Sequence, residues 1–299
     1  MSIKDIFEEV GVVGTAYAIP LSGGSGIGLL EDELVTLASV AKVHVALATF
    51  DLIATGAIDG RERCRTRSTD RTPGPVGMSL MQDDVEISIR DCVVAMLTIS
   101  DNVATDALID VVGLERINAI ATRAALHNTV ITSSIRSLLD DIAQEVGFPS
   151  YGDLVNYVPG VRPGPNDEEI KVGIARSRAL NPAFGWRTTA KESAQLLVSI
   201  WNDTAAAPVA CERVRAVMRS QLVQNRIASG FDSSVRVSAK SGGLLGVVRN
   251  EIGVAEFSDG PGVAIAVFTR RDPRRIVDSR TVDRAIGDVA RSLADGIRS

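Results

Sequence analysis

Three short strings in this chain contain the residue types of a serine acyl-transfer site. They are Ser39-Val40-Ala41-Lys42, Ser100-Asp101-Asn102 and Lys240-Ser241-Gly242. A serine hydroxyl becomes a good nucleophile when a neighbouring base removes its proton, and lysine can be that base if burial or a nearby positive charge lowers its pKa. The chain has five lysines, and two of them complete these strings. The residues therefore indicate acyl transfer with lysine, not histidine, as the base.

The first string must lie on a helix for its two reactive side chains to meet. The apolar run that follows predicts a helix over 39–54, closed by Gly56. Side chains three apart on a helix share a face, so Ser39 and Lys42 are expected to be in contact, and the enzyme hypothesis requires that contact. The positive end of the helix dipole at Ser39 also favours negative charge on the nucleophile.

The order and spacing of the strings resemble those of a known family. The 61 residues from Ser39 to Ser100 are close to the gap in class A β-lactamases and their relatives in the penicillin-recognising superfamily. The resemblance runs from about Val13 to the last helix. It implies an α+β fold in which an antiparallel sheet is flanked by helices and carries an inserted all-helical domain, with the active site in the seam.

The resemblance assigns catalytic roles to four side chains. Ser39 is the nucleophile and Lys42 its base. Ser100 relays a proton to the leaving nitrogen or oxygen. Lys240 lies on the opposite wall, where its charge is expected to lower the pKa of Lys42.

The resemblance also assigns substrate-binding roles. The backbone N–H groups of Ser39 and Gly243 are expected to receive the oxyanion. Asn102 would bind the amide side chain of the substrate and touch Lys42. Ser241, together with Lys240, would hold a substrate carboxylate. Arg249 stands where many class A enzymes place a carboxylate-binding arginine, although a solvated strand residue is an equal interpretation of it.

The elements around these strings divide between the ends and the middle of the chain. Strands are predicted at 10–20, 26–30, 235–239, 247–257 and 263–269. Helices are predicted at 39–54, 89–99, 102–111, 114–125, 134–146, 211–222 and 281–297, with one more beginning after Thr188 or Thr189. This order predicts a discontinuous α/β sheet domain, 1–55 plus 225–299, and a helical domain, 56–224. A long irregular loop is predicted at 148–186, which is rich in Pro and Gly.

The chain departs from the resembled family at the residue that would release the acyl group. Class A β-lactamases carry a glutamate on the loop before the segment matched here by Thr188-Thr189. Aligning on Leu180-Asn181 puts Ser177 at that position, and ungapped counting from Thr188 puts Gly173 there. Neither can activate water. Either Glu168 or Glu169 folds back as the base, or both lie on a solvated acidic loop.

Composition excludes several other classes. The 299 residues are 45% hydrophobic and 23% charged, with a net charge of −5 and no basic patch, so a nucleic acid is not an expected partner. A run of about 18 apolar residues, which a membrane span requires, is missing. Three scattered cysteines do not make a disulfide framework or a zinc site, and Cys92 is interpreted as a buried small hydrophobe. No cofactor is predicted.

Other candidate catalytic or metal-binding side chains have simpler interpretations. A Ser-His-Asp triad would need His44 or His127 near the nucleophile. His44 is interpreted as a core or hydrogen-bonded residue, and His127 as a residue at a helix terminus. The acidic pairs Asp83-Asp84 and Asp140-Asp141 lack the histidine or cysteine spacing of a metal site and are predicted to be solvated.

Four functional hypotheses follow, all with a small-molecule partner and an unspecified oligomeric state. The first is hydrolysis of β-lactams or related cyclic amides through a Ser39 acyl-enzyme. The second is a cytoplasmic esterase, amidase or acyl-transferase, since residues 1–9 are acidic and do not resemble a leader peptide. A serine-dependent glutaminase fits less well, because such enzymes lack the Ser-Asp-Asn string. The last is a non-catalytic binder of peptidoglycan fragments or β-lactams.

Overall fold

Strands from both ends of the chain form one antiparallel sheet, in the order β2-β1-β9-β8-β7. The computed structural model describes residues 2–161, 164–272, 275 and 277–299. Its strands are β1 (Val12–Pro20), β2 (Ile27–Leu29), β3 (Val35–Thr36), β4 (Arg63–Thr66), β5 (Val85–Ser88), β6 (Arg187–Thr188), β7 (Arg236–Leu244), β8 (Val248–Glu256) and β9 (Val263–Arg271). The strand β7, which carries the Lys240 string, is therefore an exposed edge of the sheet.

Helices fill the middle of the chain and close both ends. They are α1 (Ile3–Glu9), α2 (Lys42–Ala54), α3 (Ile89–Thr98), α4 (Asn102–Val112), α5 (Leu114–Arg123), α6 (Ile135–Glu145), α7 (Tyr151–Val155), α8 (Asp167–Arg176), α9 (Ala190–Trp201), α10 (Pro208–Met218) and α11 (Ser279–Arg298). Side-chain caps set several of these starts: Ser88 caps α3, Asp101 caps α4, Ser134 caps α6 and Thr189 caps α9.

The sheet is apolar on both faces because each face is covered by helices. Ala16 and Ala18 of β1 belong to a core with α1 and α11. Tyr17, which points the other way, belongs to the larger core shared with α9 and the middle helices. The alternation along β1 therefore distributes its side chains between two cores. The predicted α+β architecture, with a sheet drawn from both termini and helices between, is confirmed.

Two helices pack across the division predicted at residues 55 and 225. Helix α2, assigned from sequence to the sheet domain, packs against α3, α4, α5 and α10. Helix α9, assigned to the helical domain, packs against β1 and β9. The two domain ranges themselves stay a prediction.

The prediction that 148–186 is one long irregular loop is wrong in part. The segment contains α7, α8 and a short 3-10 turn at Arg178–Leu180. Helix α8 begins with a capping box, in which Asn166 and Glu169 bind each other's backbone N–H groups. Arg162 and Pro163 of this segment lie outside the described residues. Across the part of the chain that is described, no helix is long and apolar enough to span a membrane.

Candidate active site

The nucleophile candidate lies where a short strand meets the first core helix. Strand β3 ends at Thr36, and a 3-10 turn over Ala38–Ala41 carries Ser39 into α2, which begins at Lys42. The 3-10 turn differs from the α-helical start predicted from sequence. Ser39 is half-buried.

Strand β7 passes directly against the backbone of Ser39. A Cβ placed on Gly242 would lie 3.3 Å from the amide nitrogen of Ser39 and 3.3 Å from the carbonyl oxygen of Leu37. Glycine therefore allows a close approach that a larger residue would hinder. The first and third strings are thus brought together, as the sequence predicts.

The Lys42 amine connects the first string to the second. It is fully buried. Its Nζ donates to the carbonyl oxygen of Ser100 at 2.7 Å, to the Ser100 hydroxyl at 3.2 Å and to Asn102 Oδ1 at 2.9 Å. The predicted contact between Asn102 and Lys42 is therefore present.

The Ser39 hydroxyl forms no hydrogen bond with any of the described residues, Lys42 included. The contact that the enzyme hypothesis requires between these two side chains is therefore not a hydrogen bond in this structure, where Lys42 Nζ bonds to Ser100 and Asn102. Catalytic hydrogen bonds are often long before substrate binds and shorten in the complex, so the geometry does not exclude Lys42 as the base.

Burial gives Lys42 the properties of a base near neutral pH. Removal of the amine from water lowers its pKa from 10.5 to about 7, although the charges of Asp101 and Asp106 oppose the shift. Burial is the largest cause of this shift. The role of the Lys240 charge in lowering the pKa of Lys42 stays a prediction.

The second lysine is also buried, on the edge strand. Lys240 is fully buried, and its Nζ donates to the carbonyl oxygen of Ser241 at 2.8 Å. Burial first, and then the nearby charge of Lys42, lower its pKa well below the ordinary lysine value. The repulsion between the two ammonium groups is mutual, so it disfavours having both lysines protonated at once.

The Ser-Asp-Asn string is held in a strained turn. Ser100 has a φ of 64°, in the left-handed region that non-glycine residues rarely adopt. Asp101 stabilises the turn: its Oδ1 accepts from the Ala104 amide at 3.0 Å, and its Oδ2 accepts from the Met78 amide at 2.7 Å. Asn102 donates to the carbonyl oxygen of Pro73 at 2.9 Å, so both ends of its amide already have protein partners.

The candidate oxyanion donor on β7 is the backbone amide of Gly243, which lies on the edge of the sheet. The amide of Ser241 donates outward to the side-chain oxygen of Gln221. Because strand amides alternate in direction, the amide of Gly243, two residues on, points to the same edge. Gly243 is exposed. Its N–H is therefore available beside the Ser39 backbone.

Arg249 is held by an ion pair. Its guanidinium binds Asp283 on α11 through two bonds, Nε to Oδ1 at 2.8 Å and Nη2 to Oδ2 at 2.6 Å. Arg226 donates to the same carboxylate at 2.8 Å and to the carbonyl oxygens of Gly242 and Asn250 at 2.8 and 2.6 Å. The side chain of Arg249 is 24% exposed and its guanidinium is paired with Asp283, so it is neither freely solvated nor free to bind a substrate carboxylate in this structure. Arg226 and Asp283 support the edge strand and were not found from sequence.

A buried glutamate beside the site was also missed. Glu251 is fully buried, and burial raises its pKa to about 7. Its Oε1 accepts from Gln221 at 3.2 Å, and its Oε2 accepts from the Ile227 amide at 2.6 Å. Through Gln221 this carboxyl group is connected to the amide of Ser241.

The residues considered as the deacylation base are a buried serine, a glycine and two exposed glutamates. Ser177 is buried, and its hydroxyl accepts from the Ala179 amide at 3.1 Å. Gly173 lies inside α8. Glu168 and Glu169 are exposed on the first turn of α8, and Glu169 binds the Asn166 amide at 2.8 Å. The solvated interpretation of these acidic residues fits this geometry.

The two histidines do not form a triad. Both ring nitrogens of buried His44 lack a partner among the described residues, and burial lowers its pKa to about 4, so the ring is neutral at physiological pH. His127 is exposed. No cluster of three or more histidine, cysteine or acidic residues suited to a metal ion occurs within the described ranges.

Comparison with known proteins places this site in a family. A model described as the β-lactamase enzyme family matches residues 1–297. The β-lactamase regulatory protein BlaB of Streptomyces cacaoi is 26% identical over 310 residues, which cover 99% of this chain and 96% of that protein.

Solved structures share the fold. A β-lactamase from Sphaerobacter thermophilus DSM 20745 has a TM-score of 0.75 at 21% identity, covering 99% of this chain and 97% of that one. An acyl-enzyme complex of a PBP-A point mutant with penicillin G has a TM-score of 0.73 at 18% identity, covering 99% and 96%. With its three strings assembled around Ser39 and its whole length matched, this chain belongs to the β-lactamase enzyme family.

Proposed function

We propose that this protein is a serine acyl-transfer enzyme that opens β-lactams or related cyclic amides by forming an ester at Ser39. The observation that carries the proposal is the position of the Lys42 amine. This amine is buried, has a pKa of about 7 and donates a hydrogen bond to Ser100. Gly242 of the Lys240 string lies against the backbone of Ser39. No other described serine has this combination of neighbours.

Acylation is proposed to use the side chains and amides that the resemblance assigns to it. Neutral Lys42 takes the proton from Ser39 as its oxygen attacks the carbonyl carbon. The amides of Ser39 and Gly243 bind the oxyanion. The Ser100 hydroxyl, 3.2 Å from Lys42 Nζ, donates its proton to the leaving nitrogen and regains one from Lys42. Ring opening leaves the acyl group on Ser39.

Release of the acyl group is proposed to be slow. Hydrolysis of the ester needs a base for the attacking water, and neither aligned position supplies one: Ser177 is a hydroxyl engaged with a backbone amide, and Gly173 has no side chain. Lys42 would then have to serve both half-reactions. The expected behaviour is rapid acylation followed by a long-lived adduct.

A second candidate function is β-lactam-responsive regulation. The lack of a glutamate at the aligned positions, Ser177 and Gly173, favours it, because a sensor needs a persistent ligand-bound state. One relative is described as a β-lactamase regulatory protein. The esterase, amidase or acyl-transferase hypothesis keeps the same nucleophile with another substrate.

Turnover measurements separate these functions. Benzylpenicillin, a short-chain acyl ester and glutamine are each supplied in excess, and hydrolysed product and ammonia are quantified against Lys42→Met as the inactive control. A stoichiometric burst with benzylpenicillin and little further product supports slow release. Steady ester hydrolysis without reaction of benzylpenicillin supports the esterase. Ammonia from glutamine supports the glutaminase.

A further inference from the structure

Two of the three cysteines lie together in the fold, far apart in sequence. Cys64 is on β4 and Cys92 is on α3, and both are buried as free thiols. The sequence analysis treated the cysteines as scattered and Cys92 as a small hydrophobe. The fold instead makes them neighbours.

The local topology explains why the two thiols meet. Strands β4 and β5 pair antiparallel, with Cys64 opposite Ile87. Strand β5 ends at Ser88 and α3 begins at Ile89 with no loop between, so the first turn of α3 packs against β4. Cys92 lies on that turn, and its thiol is near enough to the thiol of Cys64 for the two groups to interact.

The two thiols differ in their access to solvent. Cys64 lines a polar cavity of about 530 Å³, whose other walls include Arg65, Thr72 and Asp106. Cys92 is fully buried behind it. The interaction with Cys92 lowers the pKa of Cys64, and the interaction with Cys64 together with burial raises the pKa of Cys92. A small reagent therefore meets Cys64 first, and Cys64 is the better thiolate.

We propose that Cys64 and Cys92 are a reactive dithiol that peroxides convert to a disulfide, with Cys64 attacked first and Cys92 resolving it. In the first step the Cys64 thiolate attacks one oxygen of hydrogen peroxide, the O–O bond breaks, and sulfenic acid and hydroxide form. In the second step the sulfur of Cys92, losing its proton to that hydroxide, displaces the hydroxyl of the sulfenic acid. The displaced hydroxide takes up the proton that the Cys64 thiol released when it ionised, so two thiols and one peroxide give one disulfide and two waters.

The disulfide would join the β4–β5 hairpin to a helix that leads into the Ser-Asp-Asn string. Helix α3 ends at Thr98, two residues before Ser100. The cross-link touches none of the catalytic side chains. The proposal is therefore independent of the substrate of Ser39 and does not require that function to be correct.

Cys211 provides an internal control. It is also buried, but it lies on a different helix, α10. Its thiol donates to the carbonyl oxygen of Ala206 at 3.8 Å. It does not line the cavity that reaches Cys64. Peroxide treatment of the folded protein should leave it as a thiol.

The test is treatment of the full-length folded protein with hydrogen peroxide, removal of the peroxide, and then denaturation and alkylation, followed by intact mass and peptide mapping. We expect the number of alkylated cysteines to fall from three to one, with loss of two hydrogens and a cross-linked pair of peptides containing Cys64 and Cys92. Cys211→Ser should still form the cross-link. Cys92→Ser should stop at a dimedone-reactive sulfenic acid on Cys64, and Cys64→Ser should show neither product.

Two results would overturn the proposal. One is three alkylated cysteines in the wild-type protein at a peroxide concentration that fully oxidises an exposed thiol under the same conditions. The other is a disulfide that the fold does not explain: either it includes Cys211, or it forms only after the chain is unfolded. Both readouts are made on the wild-type protein, so they do not depend on the folding of any variant.

Discussion

The Lys42 amine should make acylation of Ser39 depend on pH with an inflection near neutrality. All three acceptors of its Nζ are uncharged: the carbonyl and hydroxyl oxygens of Ser100 and the amide oxygen of Asn102. The buried ammonium therefore lacks a carboxylate in contact, and its pKa falls from 10.5 to about 7. Such a shift corresponds to about 5 kcal/mol of disfavoured charge.

The direction of the pH effect follows from which form is the base. Neutral Lys42 accepts the proton of Ser39, so the rate constant of acylation should rise as pH rises. With a pKa of about 7, about half of the lysines are neutral at pH 7 and about one in a hundred at pH 5. Acylation should rise about tenfold per pH unit below pH 6.5 and become constant above pH 8.

The assay is a single-turnover measurement of adduct formation with a chromogenic β-lactam from pH 5 to pH 9. Lys191→Met is the matched control, because Lys191 is an exposed lysine paired with Asp32. Glu251 has a pKa of about 7 as well, so the profile is repeated in Glu251→Gln. Lys42→Arg, which stays charged, should lose about a thousandfold or more in rate.

Three results would refute this reasoning. A rate that does not change between pH 5 and 8 would show that Lys42 is not the base. An inflection near pH 10 would show that the lysine keeps its ordinary pKa. An inflection that disappears in Glu251→Gln would assign the titration to the glutamate.

Three further predictions concern release, stability and the catalytic turn. Ser177→Glu should shorten the lifetime of the Ser39 adduct about tenfold or more by supplying a base for the attacking water, whereas Ser177→Gln should not. An unchanged lifetime in both variants would show that Ser177 does not stand at the position of the family's glutamate. Between pH 4.5 and 7 native Glu251 holds a proton that the unfolded chain has released, so stability should fall by about 3 kcal/mol as pH rises through that window. Urea unfolding should show this slope in the wild-type protein and not in Glu251→Gln. Gly77→Ala should lower stability several times more than Gly56→Ala, and it should slow acylation. Both glycines have a positive φ, 65° at Gly77 and 74° at Gly56. A Cβ at Gly77, however, would lie 2.1 Å from Asp101 Oδ2, whereas a Cβ at Gly56 would meet nothing within 4 Å. Equal losses of stability in the two variants would mean that the loss comes from backbone strain alone and not from the contact with Asp101.

The parts of the fold that sequence predicted are those specified by local signals. Apolar alternation located β1, β8 and β9, and a threonine cap located the start of α9. The helix α8 had such a signal as well, the capping box of Asn166 and Glu169. The surrounding prolines and glycines outweighed it, because these residues usually break helices.

The site residues that sequence missed act over long sequence distances. Arg226 and Asp283 are 57 residues apart, and their bond depends on how α11 packs against the sheet. Asp283 did give a weak signal, since it lies beside Val282 on the apolar face of α11, where a buried carboxylate needs a partner. Glu251 and the Cys64–Cys92 pair gave none, because a single sequence does not show which side chains become neighbours.

The most direct test of the central claim is the mass of the protein after reaction with benzylpenicillin. The account predicts that the wild-type chain gains one penicilloyl group, located by peptide mapping on Ser39, that the adduct persists, and that Ser39→Ala gains none. A penicilloyl group on Ser39→Ala, or a wild-type chain that gains no mass and produces no hydrolysed penicillin, would contradict it.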